Sequence, residues 1–447
     1  MKTIVIGAGE VGYHIAERLC REEHDVVVVE QDPAIRARVQ EQLDVMTVEG
    51  NGASPRILEE AGVRGAAMLI AVADIDEVNV TACLLAKEYG VATRIARVRD
   101  PDLSESSFLE RGKRLGIDLL INPNIVVAEE ILDLIKTPAA AEVGKFADGK
   151  VLMLGLQLPP GAPLLDRPLK SLRAFHATTP FLIVAVLRNG GLILPDGETT
   201  LREGDRVYFV SKRESVNAIL TLLGRQESIV ERVMVIGGGR MGLRVAQLLE
   251  AERFKVRLVE QRQERCGELS QLLKDVLVLH GDGTDARVLV EEGIAEMDAV
   301  VTVTDDEATN ILAALLAKEQ GAKKVMALIK RPQLLHLLPH LGIDAAISPR
   351  TLTANMILKY VRRGRVLSIF EMPESEAETL EMVVTAQSRV AGKAIRSAGL
   401  PSGAIIGALV HRDEILIPRG ETVFQPDDHA VIFAVPSAIP DLEKLFA

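Results

Sequence analysis

The segment TIVIGAGEVG at residues 3–12 returns as VMVIGGGRMG at residues 233–242, so the chain writes one strand, glycine turn and helix start twice. Gly7, Gly9 and Gly12 match Gly237, Gly239 and Gly242 at an offset of 230, which also carries Ile15 and Leu19 onto Val245 and Leu249 and Glu30 onto Glu260. One residue is then gained in the second copy, after which Gly50, Asn51 and Gly52 match Gly281, Asp282 and Gly283, Asp74 matches Asp305, and Asn79 matches Asn310. Gly116 answers Gly342 at an offset of 226, which leaves the first copy with a five-residue insertion after Pro101, read as a surface excursion. Further on, Leu194-Pro195-Asp196-Gly197-Glu198-Thr199 corresponds to Ile417-Pro418-Arg419-Gly420-Glu421-Thr422 at an offset of 223. Each half is therefore a larger unit followed by a smaller one. At 447 residues this gives four domains of ordinary size, expected at 1–136, 140–225, 231–358 and 365–447. Residues 137–149 read as a linker, Gln226-Glu227-Ser228 as the joint between halves, and Arg362-Arg363-Gly364 as the joint inside the second half.

The larger unit alternates short apolar runs with helical patterns. Residues 26–29, 45–48, 69–72 and 95–98 are runs of β-formers without polar alternation, as expected of strands buried in a parallel sheet. Val11, Ile15 and Leu19 recur at a spacing of four and give the intervening helix one core face. The fold class is α/β: two doubly wound, Rossmann-like parallel sheets, each followed by a small α+β lobe. That lobe is strand-rich at 181–187, 192–194 and 206–210, and ends in a helix at 216–223.

The glycine turn carries the chemistry. Gly7 lets the chain turn sharply after the strand, Gly9 leaves room for a pyrophosphate, and Gly12 lets helix and strand pack closely, while the helix start offers free N–H groups to anionic oxygens. Glu30 ends the second strand, where a carboxylate accepts from both adenosine ribose hydroxyls and repels a 2′-phosphate, favouring NAD over NADP. In the second copy Arg240 stands where the first has Glu10, and an arginine there can fork onto a terminal phosphate. The first site thus suits NAD(H) and the second ATP or ADP. A solvated Arg240 is the competing reading.

Other classes find little support. With 52 Lys plus Arg against 63 Asp plus Glu the formal charge is −11, which repels nucleic acid and anionic lipid, and at 3% aromatic content with no Trp there are few rings for bases to stack on. Cys20, Cys83 and Cys266 form no Cys-x-x-Cys pair, so neither a disulfide framework nor structural zinc is expected and the compartment reads as reducing. The opening MKTIVIGAGE leads straight into a strand, with no signal-peptide pattern, and no apolar run approaches the ~18 residues that span a bilayer. Tyr208 and Lys212 have the spacing of a dehydrogenase catalytic pair, but on a strand they stand roughly 13 Å apart. His336 and His340 lack a third zinc ligand, the charged segment of Asp102, Glu105, Glu110, Arg111, Lys113 and Arg114 reads as polar surface, and no P-loop occurs. No catalytic residue and no metal site are expected.

Two dinucleotide folds, each trailed by a small β-rich lobe and free of a catalytic cluster, resemble the tandem RCK (KTN) domain family of regulatory subunits of bacterial Trk potassium uptake systems. The resemblance spans essentially the whole chain and rests on Gly7-Ala8-Gly9-Glu10-Val11-Gly12 with Glu30, on Gly50-Asn51-Gly52, on residues 74–79 and 94–99, and on their near-copies in the second half. It implies a homotetrameric, non-enzymatic subunit, cytoplasmic and peripheral on the inner face of the membrane, that gates a TrkH-like potassium-translocating protein in response to NAD(H) and ATP or ADP. The first nucleotide would then touch Gly7, Ala8, Gly9, Glu10, Val11, Gly12, Glu30, Asn51, Ala73, Asp74 and Arg97. The second would touch Gly237, Gly238, Gly239, Arg240, Met241, Gly242, Glu260, Asp282, Thr304, Asp305 and Leu328. Since Thr304 and Leu328 replace Ala73 and Arg97, the two ligands are not expected to be identical. The alternative is an NAD-dependent oxidoreductase with a duplicated fold, for which the smaller lobe offers only His176 and the misplaced Tyr208 and Lys212 as acid or base.

Overall fold

The computed structural model describes residues 1–100, 103, 116–172, 179–224, 229–331, 334–335, 337–361, 366–372, 375, 377–412 and 414–447. The insertion after Pro101 with its charged residues, His176, His336, Gln226-Glu227-Ser228 and Arg362-Arg363-Gly364 lie outside them.

The first half opens with β1 (Lys2–Ile6), α1 (Glu10–Arg21), β2 (Asp25–Glu30), α2 (Pro33–Gln42), β3 (Met46–Glu49), α3 (Pro55–Glu60), β4 (Met68–Ala71), α4 (Asp76–Glu88), β5 (Thr93–Arg97), β6 (Leu119–Ile121) and α5 (Pro123–Lys136). The strands form one parallel sheet in the order β3-β2-β1-β4-β5-β6, with the order reversing between β1 and β4. In a doubly wound sheet that reversal opens a crevice at the carboxyl ends of the strands. Ile15 and Leu19 are fully buried, the core face that their spacing foretold. One strand departs from expectation: β3 pairs only with β2, so as an edge strand it leaves Met46 54% exposed instead of buried on both faces.

The first smaller lobe contains β7 (Glu142–Phe146), β8 (Val151–Gln157), β9 (Phe181–Arg188), β10 (Gly191–Ile193), β11 (Arg206–Lys212) and α6 (Val216–Leu222). Its antiparallel sheet runs β10-β9-β11-β8-β7. Here the linker reading of 137–149 is corrected: β7 lies inside it, because Val143 and Phe146 bury themselves and a tight turn pairs Phe146 with Val151. Only the short stretch between α5 and β7 connects the lobes.

The second half repeats the plan with β12 (Arg232–Ile236), α7 (Arg240–Ala251), β13 (Lys255–Glu260), α8 (Gln263–Leu272), β14 (Val276–His280), α9 (Ala286–Glu291), β15 (Ala299–Thr302), α10 (Glu307–Glu319), β16 (Lys324–Leu328), β17 (Ala345–Ile347) and α11 (Pro349–Val361). The parallel order β14-β13-β12-β15-β16-β17 is that of the first sheet. Its smaller lobe has β18 (Val366–Glu371), β19 (Glu378–Val383), β20 (Ala404–His411), β21 (Glu414–Leu416), β22 (His429–Ala434) and α12 (Ile439–Phe446), with the sheet order β18-β19-β22-β20-β21.

The chain divides into two compact units that do not coincide with its halves. One holds residues 1–127 with 348–361, so α11, which follows the last strand of the second parallel sheet, packs on α1 of the first. The other holds residues 128–347 and 362–447. In it, Lys324 at the start of β16 is buried and donates from Nζ to the carbonyls of Leu134, 2.8 Å, and Ala140, 2.7 Å. A lysine ammonium at the carbonyl end of a helix is favourably placed, and here it pins the stretch that follows α5. The two smaller lobes share a core of Phe146, Val151, Tyr208 and Val210 with Ala408, Val431 and Phe433, and Glu381 accepts from the Ala147 N–H at 3.0 Å across it.

Burial raises the Glu130 carboxyl from 4.5 to about 8, helped by Asp133, and lowers the Lys324 ammonium from 10.5 to about 7. Between 4.5 and about 8 the folded chain holds a proton on Glu130 that the unfolded chain has lost, so that stability is complete below 4.5 and lost as pH rises through about 8. Lys324 acts oppositely: its contribution is present above 10.5 and lost as pH falls through about 7. Thermal melting of Glu130→Gln across this range is therefore expected to show a shallower loss of stability towards neutral pH than the native chain. Equal pH slopes would remove Glu130 as the cause.

Candidate nucleotide sites

In the first unit, a cavity of about 560 Å³ lies at the carboxyl ends of β1, β2, β4 and β5. Its lining includes Gly7, Ala8, Gly9, Glu10, Val11, Glu30, Asn51, Ala73, Asp74 and Arg97. Of the candidate contacts only Gly12 stands back, and for a steric reason: a Cβ there would overlap the Gly7 carbonyl oxygen, so its absence is what seats α1 on the turn. Gly7 has φ +87°, the left-handed conformation that lets the strand reverse into the helix. A Cβ on Gly9 would meet nothing within 4 Å, so this position faces open space. No side chain caps α1, and its first-turn N–H groups point where an anion would sit.

Glu30 holds this turn open. Its Oε2 accepts from the Ala8 N–H at 2.7 Å and its Oε1 from the Asp32 N–H at 2.9 Å, in a position only 8% exposed. Each oxygen keeps a second lone pair for a ribose hydroxyl. Across the crevice Asn79, fully buried, accepts from the Ala73 N–H and donates to the carbonyls of Ala73 and Arg97, tying the ends of β4 and β5 together. Arg97 donates from Nη2 to the Ala73 carbonyl and to Asp74, both at 3.1 Å, while its buried Nε meets no partner among the described residues. Burial, followed by the nearby Arg99 charge, lowers its pKa, so an incoming anion would relieve both costs. Asn51 accepts from the Ala53 N–H at 2.8 Å, shaping the turn after β3.

Glu10, the anion that the sequence places where the second copy has Arg240, meets two cations in the folded chain. Its Oε2 lies 2.7 Å from Arg350 Nη1 on α11 and its Oε1 3.8 Å from Arg38 Nη1. Two cations therefore face this one carboxylate.

The second copy keeps the backbone and changes the charges. Gly237 has φ +110°, a Cβ on Gly242 would overlap the Gly237 carbonyl oxygen, and one on Gly239 would meet nothing within 4 Å. Glu260 accepts from the Gly238 N–H and the Arg262 N–H, both at 2.9 Å; although burial opposes ionisation, these bonds and the Arg262 charge hold its carboxyl below the usual value. Asn310 repeats the clamp, bonding Thr304 and the Leu328 carbonyl. Leu328 is buried in β16, and the Thr304 hydroxyl turns to Asn310 and the Asp306 carbonyl. The Asp305 carbonyl accepts from Lys330, and Asp282 from Thr284 and Gln261. Met241 and the exposed Arg240 open α7, and Arg240 forms no ion pair among the described residues. Two neighbours escaped the motif reading. Arg262 and Arg265 stand where the first copy has Asp32 and Ile35, and Arg265 lies across the turn with Nε 2.9 Å from the Gly238 carbonyl. Basic residues just past the second-strand acid were the available signal.

Comparison with known proteins now bears on this geometry. The TrkA-N domain family matches residues 3–123 and 233–349, and the TrkA-C domain family residues 153–224 and 379–447. The chain belongs to the TrkA family. The TrkA homolog 1 of Methanosarcina mazei is 37% identical over 454 residues, covering 100% of both chains. The TrkA of Halomonas elongata is 38% identical over 451 residues, covering 100% of this chain and 98% of its own. Both are described as Trk system potassium uptake proteins. Among solved structures, the GsuK channel bound to NAD superposes with a TM-score of 0.62 at 20% identity, covering 100% of this chain and 78% of that one, which shows a shared fold. Each TrkA-N match contains one glycine turn with its acid and its clamping asparagine, and each TrkA-C match lies in one of the antiparallel lobes.

Glu30→Ala should weaken NADH binding by about 1.5 to 3 kcal/mol, the range for a hydrogen bond to a charged group. Since the same carboxylate holds the Ala8 and Asp32 amides, it should also lower the melting temperature. Calorimetric titration with parallel thermal melting checks both effects, and unchanged NADH affinity would take Glu30 out of the site.

Proposed function

We propose that this chain is the nucleotide-sensing regulatory subunit of a Trk-type potassium uptake system, a homotetramer peripheral to the cytoplasmic face of the membrane, where it gates a TrkH-like partner. The observation that carries the nucleotide part is the cavity of about 560 Å³ lined by the glycine turn, Glu30, and the Ala73 and Arg97 that Asn79 clamps, in a chain of the TrkA family. No helix among the described residues is long and apolar enough to cross a membrane, which fits action through a membrane partner. The lobes are read as 1–136, 140–225, 231–358 and 365–447, with NAD(H) in the first nucleotide lobe and ATP or ADP in the second.

The mode of action we assign is binding without turnover. At the first site the charged groups are committed to structure: Glu30 to backbone amides, Arg97 to Asp74, Glu10 to Arg350. Tyr208, the one spacing match to a dehydrogenase pair, is fully buried within β11. A ligand bound in this way can regulate only through differential affinity for two states of the assembly. NADH incubated with a panel of carbonyl acceptors should therefore show constant nicotinamide absorbance, and steady protein-proportional oxidation would favour the oxidoreductase reading.

Gating is tested with the partner present. Cells lacking this chain should lose potassium uptake through the Trk membrane protein, and nucleotide should alter flux when both are reconstituted in liposomes. Full, nucleotide-independent flux from the membrane protein alone contradicts the assignment.

A further inference from the structure

The first nucleotide cavity has a feature that its repeat partner lacks. Glu10, the first residue of α1, lines the cavity, and its Oε2 holds Arg350 Nη1 at 2.7 Å from behind. The Arg350 side chain is only 13% exposed, and its Nε is buried without a partner among the described residues, so one of its N–H donors is unused. Arg38 completes the group from α2, 3.8 Å from Glu10 Oε1 and 4.7 Å over the Tyr13 ring. In the second copy Arg240 takes the place of Glu10, and the residue aligned with Arg350 at the offset of 226 is Asn124. The carboxylate and arginine pair is therefore peculiar to one of the two sites.

We propose that Glu10 and Arg350 read the end of the ligand's phosphate chain at the first site, distinguishing a nucleoside di- or triphosphate from a dinucleotide. This rests on the reading of the cavity as a nucleotide site. The pyrophosphate of NAD lies in the middle of the molecule, with one charge per phosphate and a ribose on either side. It fits over the turn at Gly9 and leaves Glu10 on Arg350. A terminal phosphate is more highly charged, has three free oxygens and extends past the turn. It repels the Glu10 carboxylate and takes up the guanidinium of Arg350, whose planar fork suits phosphate oxygens. Arg350 lies in the first turn of α11, the helix that follows the last strand of the second parallel sheet, so the kind of ligand in the first lobe acts directly on a segment supplied by the second half.

The test uses the full chain carrying Gly239→Asp. A Cβ at Gly239 meets nothing within 4 Å and its φ is −64°, so aspartate is accommodated while its charge repels phosphate from the second site. ATP, ADP and NADH are titrated calorimetrically into this chain and into the same chain with Arg350→Gln or Glu10→Gln. Arg350→Gln should weaken ATP and ADP about tenfold, the scale of one charge-assisted contact, with NADH affinity held within about twofold. Glu10→Gln should tighten ATP binding. Equal changes for all three ligands after Arg350→Gln, or none, overturn the proposal. If Arg350→Gln proves unfolded by thermal melting, Glu10→Gln decides alone, and unaltered ATP affinity there overturns it. A parent chain that binds no nucleotide at all overturns the nucleotide reading itself, and this one with it.

Discussion

One carboxylate holding one backbone amide underlies each nucleotide lobe: Glu30 on the Ala8 N–H and Glu260 on the Gly238 N–H. A glycine turn is permissive by nature, and a left-handed residue at its start fixes only the direction of exit. The acid at the end of the second strand fixes the rest. By binding the amide inside the turn, it joins β1 to β2 at their carboxyl ends and sets the angle at which α1 leaves. The helix then presents its uncapped N–H groups to the crevice. On the far wall Asn79 and Asn310 do the same for β4 with β5 and for β15 with β16, each spending a buried amide on three backbone groups. Both walls are thus tied by hydrogen bonds within the chain itself, which limits the ordering cost of binding.

Within that shared frame the two copies have diverged in charge. The first offers Glu10, Asp32 and Ile35 where the second offers Arg240, Arg262 and Arg265, and it offers Arg97 where the second buries Leu328. The exchange is not a plain inversion, because Arg350 and Arg38 offset Glu10 in the folded chain. Arg265 bonds the Gly238 carbonyl at the second turn, where the first copy has Ile35 lining its cavity. The proposal that the two copies hold different nucleotides rests on this difference in charge over one backbone.

The glycine spacing, Glu30 and the repeat were legible because they depend on local backbone sterics and short strand-to-strand distances. The fully apolar strands were legible for the same reason: β2 and β4 are buried on both faces. What escaped depends on packing at long sequence separation. Nothing in the composition of 348–361 says that this helix packs on α1, and so nothing identified Arg350 as the partner of Glu10. The strand β7 was hidden by its glycine and its neighbouring linker residues, although Gly144 suits this position because a Cβ there would come within 2.9 Å of the Phe370 ring. β3 was misjudged in exposure because an edge position is a property of the whole sheet.

The central claim, that one fold repeated within a chain holds two different nucleotides, is tested most directly by binding stoichiometry. The full chain is titrated with NADH in the presence of saturating ATP, and NADH and ATP bound per chain are counted. One NADH bound per chain, with ATP retained at the other lobe, is the expected result. Two NADH bound per chain, with ATP displaced from both lobes, would contradict it.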